Sequence, residues 1–428
     1  MSTNRDLIPF IGDGFLNSLK DSFGNIESKS PYRWVIVALS WLHYFSFGLI
    51  YTALSVLVTP VMIDLNLTYS QMGIILGCWQ LVYIFSAQPI GLLIDRVGPY
   101  KSLLLGAAII SLSAALRWFA VNFETLIFFV ALFGIGGPMI SIGLPKLASV
   151  WFFGRERGTA SGIYATGNTI GAMVALAITN SFVLPQLGDW KKVFLIYSFV
   201  GFLIALLWLS LGRRSPDPDT LNIAATPVKR ERTLLVMKSV FMSRNIWLIV
   251  IIGITSFLTN HGLSNWLPKI LELNGMTSQE AGFAVSFLNL FGIFGSILIS
   301  RLPYIVRSRK LAIAITLLIQ GASTLLLGIV GGSVLWLALA LDGISRGLLP
   351  LLTVTLMELP EVGPRRMGVV GGLYFSIGEI GGFGGPFVMG VLKDITGSFL
   401  PGLILMAAIS LASITLAAFL RIDVKTKA

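Results

Sequence analysis

A chain of 428 residues that is 55% hydrophobic and 12% charged, with a mean hydropathy of +0.84, is excluded from the soluble domains, where about a quarter of residues carry charge. One cysteine, Cys78, and two histidines, His43 and His261, exclude a disulfide framework and leave no donor set for a metal. Neither a GK[ST] phosphate loop nor an H-E-x-x-H occurs, so no cofactor, no catalytic residues and no enzyme are expected. The net charge of +11 needs an account, and its placement along the chain supplies one.

Residues 1–33 hold Asp6 and Asp13 where a signal peptide would need an apolar core. Ile8, Ile11, Phe15, Leu19 and Phe23 instead recur at helical spacing, the pattern of a short helix lying on a membrane surface. Apolar runs long enough to cross about 30 Å of hydrocarbon then begin near Trp34, Gln71, Ser102, Thr125, Gly158, Val193, Ile246, Ala281, Leu311, Val334, Gly368 and Leu400. The period-two alternation of a membrane barrel is absent. The fold class expected is an all-α membrane protein of twelve transmembrane helices in two pseudo-symmetric halves, 34–212 and 245–421. A polar, proline-rich linker at 213–244 joins them, and 422–428 form a closing tail.

With the amino terminus inside, loops on that side hold seventeen Lys and Arg against four outside, Lys191, Lys192, Lys269 and Lys393. The positive-inside rule therefore puts both termini in the cytoplasm of a multi-pass protein of the cell (inner) membrane. Topology accounts for the basic charge, and no nucleic acid is needed as partner. An internal repeat supports the two halves: DLNLTYSQMG (Asp64 to Gly73) precedes the second span and ELNGMTSQEAG (Glu272 to Gly282) the eighth. In both, Thr or Ser stands ready to cap a helix start.

GLLIDRVGPYK, behind the second span, contains Gly91, Asp95, Arg96, Gly98 and Lys101. This G-x-x-x-D-R-x-G-x-x-K loop, with the twelve-span layout, resembles the major facilitator superfamily. The resemblance implies that the loop helps hold the cytoplasmic side closed, with Asp95 paired to a basic group or helix end on a neighbouring span. The counterpart GSILISRLPYIVRSRK (Gly295 to Lys310) keeps a glycine and basic residues but lacks the acid. Val130 stands where the family carries an arginine, and the G-x-x-x-G-P of drug antiporters is missing from the fifth span. Gly162, Gly167, Asn168 and Gly171 resemble the nitrate-porter-like branch, and LPKLASVWF resembles the cyanate-permease-like and feline leukaemia virus subgroup C receptor-like branches.

In this superfamily the first, fourth, seventh and tenth spans line a central cavity. On those spans and the neighbouring fifth, the resemblance implies Trp41, His43, Tyr44, Lys146, Asn168, Asn260, His261, Trp266 and Arg346 as candidates for binding solute, with Tyr51 and Asn265 nearby. Both histidines are expected to face the cavity. Arg117 and Trp118, near the end of the third span, read as a snorkelling charge and an interface aromatic. Asp342 and Arg346, four residues apart, share a helix face and are expected to pair. Glu379 has no such partner on its own helix and lies near the bilayer middle, so Asp342 and Glu379 are the candidates for coupling to protons; a static network of Glu379 with Arg346 is the alternative.

The function expected is secondary active transport of a small organic ion by alternating access, with an anion favoured and protons as coupling ion. The alternatives are a choline-like organic cation held by aromatic rings, or a membrane receptor or scaffold that transports nothing. The expected partners are a small-molecule solute, protons and the bilayer, and a monomer is the expected state.

Overall fold

In the computed structural model, residues 31–152, 154–213, 243–329 and 331–422 are described. The surface helix expected near the amino terminus, nearly all of the linker and the closing tail fall outside them. Twelve helices are long and apolar enough to cross a membrane. They are α1 (Tyr32–Val56), α2 (Tyr69–Val97), α3 (Pro99–Phe119), α4 (Phe123–Trp151), α5 (Glu156–Leu187), α6 (Trp190–Leu211), α7 (Arg244–Leu273), α8 (Ser278–Ile305), α9 (Arg309–Ile329), α10 (Gly332–Glu358), α11 (Val370–Thr396) and α12 (Leu400–Ala418).

Most begin two or three residues before the apolar run does, because the first turn is polar and capped. Thr68 with Gln71 and Thr277 with Glu280 each form a reciprocal capping box at α2 and α8. These are the two copies of the internal repeat, so the repeated sequence encodes the same helix start twice. Asn122 with Thr125 does likewise at α4.

The packing repeats as well. α1 lies on α5, α2 on α4 and α3 on α6; in the second half α7 lies on α11, α8 on α10 and α9 on α12. Gly167 and Gly171 of α5 sit against the carbonyls of Trp41 and Phe45, and Gly381 and Gly385 of α11 sit against those of Ile254 and Leu258. A Cβ at any of the four would collide with backbone, so these glycines set the close approach of the two equivalent pairs. The halves meet through α2 with α11 and α5 with α8.

Call the end where α1 begins and Asp95 lies the tail end, and the opposite one the far end. The hydrogen bonds that join the halves cluster from the middle to the far end. There the Asp394 carboxylate of α11 accepts from the backbone N–H of Tyr69 at 3.1 Å and of Ser70 at 2.7 Å, at the start of α2. Thr59, in the short helix Val58–Leu65, donates to Glu272 at 2.7 Å and accepts from Lys269 at 2.7 Å. Gly73 and Gly77 let Pro386 and Phe383 of α11 lie directly on α2. Towards the tail end Pro89 and Leu92 of α2 are exposed, while Gln88 lies beside Gly372 of α11. The hydrogen-bonded closure between the halves thus lies at the far end.

Candidate functional site

Two polar groupings lie at mid-depth. The first is built on a break in α10, whose helical run stops at Ser345 and resumes at Leu348. The turn between them carries Arg346 and Gly347, whose N–H groups bond back to Gly343 and Ile344. Gly347 is required there because the carbonyl of Gly295 on α8 fills the space of a Cβ. Arg346 Nε lies 3.7 Å from the Asp342 carboxylate. Its Nη1 donates to Ser264 of α7 at 3.0 Å and to Asn289 of α8 at 3.2 Å. Nη2 is buried and makes no hydrogen bond among the described residues, so the guanidinium retains a donor for an anion. Asp342 is 1% exposed and also accepts from Ser323 at 3.3 Å.

The second grouping joins the halves. His261 of α7 presents Nδ1 to Gln80 Nε2 of α2 at 3.1 Å and to the Tyr51 hydroxyl of α1 at 3.4 Å. Its Nε2 faces the Glu379 carboxylate of α11 at 3.7 Å. The ring is held by Phe257, stacked one turn earlier at 5.9 Å, and by the edges of Trp79 and Tyr51. Gly382 makes room for Glu379: a Cβ there would strike the carboxylate. Glu379 therefore has a partner on another helix. It meets His261, whereas Arg346 pairs with Asp342 as expected.

Other sequence candidates lie elsewhere. His43 is wholly buried inside the first half, edge-on to Trp208 at 5.0 Å and bonded through Nδ1 to the Leu39 carbonyl at 2.8 Å. It does not face the second half, because a helix turns about 100° per residue and it is the face of Tyr44 and Tyr51 that carries the contact to His261. Trp266 is also wholly buried; its Nε1 donates to the Pro386 carbonyl at 2.8 Å, and its ring packs on Tyr69 and Phe399 in the far-end closure. Lys146 reaches Asp95 at 3.0 Å, so this cation belongs to the loop motif rather than to a solute site, and Asp95 has the basic partner expected of it. Arg96, Gly98 and Lys101 stand in the same turn, where Gly98 has a positive φ of 84° between α2 and α3. A Cβ on Gly91 would meet open space, so no close helix contact depends on glycine there.

Trp41 donates to Thr166 at 3.0 Å and stacks on Phe45. Tyr44 packs on Phe47 and Tyr164. The backbone of Asn168 lies against Gly48, and Asn260 donates to Ser256 at 3.2 Å within α7. Arg117 does not snorkel. It is 1% exposed, with its guanidinium 4.4 Å from the centre of the Phe194 ring. Gln80, Ser264 and Asn289 were not singled out from the sequence; an amide or hydroxyl at mid-span was the available signal.

The second half answers its missing loop acid in another way. Arg309, at the start of α9, forms an ion pair with Glu358 at the end of α10. In the first half the ion pair joins Asp95, near the end of α2, and Lys146 of α4.

Twelve apolar helices packed as two matching halves, with a buried cation at mid-span, have the layout of a membrane carrier. The family model of the Major Facilitator Superfamily matches residues 39–386, and the chain belongs to that superfamily; it is a transporter and not an enzyme. It is 26% identical to an uncharacterised transporter of Bacillus subtilis over 74% of this chain and 76% of that one. To a probable L-galactonate transporter of Escherichia coli it is 25% identical, covering 84% and 83%. With a probable galactarate/D-glucarate transporter of Bacillus subtilis the identity is 23% over 92% and 94%. The fold matches a bacterial homologue of the human lysosomal transporter Spinster, solved in an inward-facing, unoccupied conformation, with a TM-score of 0.70, 18% identity and coverage of 92% and 95%.

Proposed function

We propose that this transporter is a secondary active carrier of a small organic anion, coupled to protons and working by alternating access. The observation that carries the reading is Arg346: a buried guanidinium at a helix break, paired through Nε with Asp342 and with Nη2 left without a hydrogen bond. Relatives described as carriers of L-galactonate and of galactarate or D-glucarate support an anion. Binding would draw Arg346 from Asp342 toward the solute carboxylate. His261 and Glu379, one on each side of a short gap, are the groups through which a proton would be taken up and released. In this reading the chain acts as a monomer in the cell membrane, both termini cytoplasmic, and the tail end is the cytoplasmic one. The loop of Gly91, Asp95, Arg96, Gly98 and Lys101 then belongs to the inner gate.

The test is uptake of labelled L-galactonate, D-glucarate and choline into proteoliposomes with and without an inward proton gradient. Accumulation of either acid only with the gradient is expected, and Glu379→Gln should keep exchange while losing accumulation. Uptake of choline alone would overturn the anion reading. Accumulation by Glu379→Gln equal to that of the parent would remove Glu379 as the proton carrier.

A further inference from the structure

His261 makes the one mid-depth contact in which a titratable ring touches polar side chains of both halves among the described residues. Gln80 and Tyr51 lie on one side and Glu379 on the other. The further charged and titratable groups around it are Arg346 of α10, near enough to act on it electrostatically, and Tyr83 of α2, which acts on Glu379. An imidazole changes the hydrogen-bond roles of its nitrogens on titration. Neutral, with its proton on Nε2 toward Glu379, it accepts at Nδ1; charged, it donates at both nitrogens.

Gln80 is matched to both states. It is wholly buried, its Nε2 now donates toward Nδ1 at 3.1 Å, and its Oε1 is buried without a hydrogen-bond partner. Turning the amide about its last bond would bring Oε1 to Nδ1, so the same side chain accepts from the charged ring. A hydrocarbon of equal length would leave a charged Nδ1–H with Tyr51 alone, at the longer distance of 3.4 Å. Gly382 fixes the arrangement, because its bare backbone lies against both the Glu379 carboxylate and the Gln80 stem.

We infer that Gln80 is a positioning residue which, by reversing its amide, keeps His261 bridged to the first half in both protonation states and so makes protonation of the His261–Glu379 pair a signal read by both halves. This rests on the proton-coupled reading above. A proton at Glu379 then alters a contact of α2, the helix that also carries the far-end closure and the Asp95 loop, and the half without the carboxylate responds to it.

The test needs no solute. Spin labels at Leu92→Cys on α2 and Met357→Cys on α10, both exposed toward the tail end, report the separation of the halves in liposomes, in a Cys78→Ala background. The parent distance distribution should change as the pH is stepped across the titration of the His261–Glu379 pair. Gln80→Met, nearly equal in shape, should lose most of that change and lose nothing more when combined with His261→Asn. Gln80→Glu, whose carboxylate can only accept and so favours the charged ring, should shift the response to higher pH; it also serves if Gln80→Met fails to fold. A full response in Gln80→Met beside a lost one in Glu379→Gln would overturn the role of Gln80 and leave proton coupling standing. No response in the parent would overturn both.

Discussion

Asp394→Asn should loosen the far-end closure by about tenfold. The Asp394 carboxylate belongs to the second half, yet it accepts two backbone N–H groups at the start of α2 in the first, at 3.1 and 2.7 Å, as well as the Ser70 hydroxyl. Hydrogen bonds to a charged group contribute about 1.5–3 kcal/mol, and a negative charge at a helix start adds about 0.3–1 kcal/mol. Asp394 is exposed, so solvent takes back much of this, and asparagine still offers one acceptor oxygen. A net loss near 1.4 kcal/mol, a factor of about ten in an equilibrium, is the expectation. The assay is the distance between spin labels at Val121→Cys and Val334→Cys, exposed on opposite halves at the far end, again without Cys78. The ratio of open to closed populations should rise about tenfold in Asp394→Asn. An unchanged distribution would refute the reasoning, because the carboxylate would then be a bystander to a closure held by Thr59, Glu272 and Lys269.

Arg346→Ala should damage the folded protein by about 3–5 kcal/mol, since it strands the buried Asp342 carboxylate. Arg346→Lys should fold but bind the solute more weakly, having lost the planar fork; thermal unfolding in detergent and solute titration separate the two effects. Asp95→Ala should slow turnover less than about fivefold without loss of insertion, because the Asp95–Lys146 pair is 42% and 46% exposed and such pairs contribute about 0–1 kcal/mol; abolished transport would contradict this. Lys191, bonded to the Asp64 carboxyl, holds it below its ordinary 3.8, with Trp190 also donating and burial opposing. Its contribution is therefore present above pH 3.8 and lost as the pH falls through the lowered value. At 46% exposure it amounts to less than about 1 kcal/mol, so Asp64→Asn should lower stability slightly at neutral pH and match the parent in strong acid.

The sequence showed the spans, the caps at Thr68 and Thr277, the pairing of Asp342 with Arg346 and a basic partner for Asp95, because each depends on residues near in sequence or on a recurring motif. Helix rotation was hidden. α1 is apolar nearly all round, so no hydrophobic face distinguishes His43 from Tyr44, although one turns inward to Trp208 and the other to Tyr164. The same holds in α7, where His261 and Asn265 fall about 40° apart and Trp266 about 140° from His261, which puts the indole into the far-end closure. Gln80 and Glu379 gain their meaning from His261, on a third helix; no spacing along one chain segment reports that meeting.

The Thr68–Gln71 box satisfies the start of α2 with groups of its own. When Asp394 departs, the donors it covered pass to water, and the helix retains a finished end. Under the proposed alternating access, separation of the halves at this point would be a parting of two completed surfaces with no unwinding, so the far end would open and reseal without the first turn of α2 refolding each time.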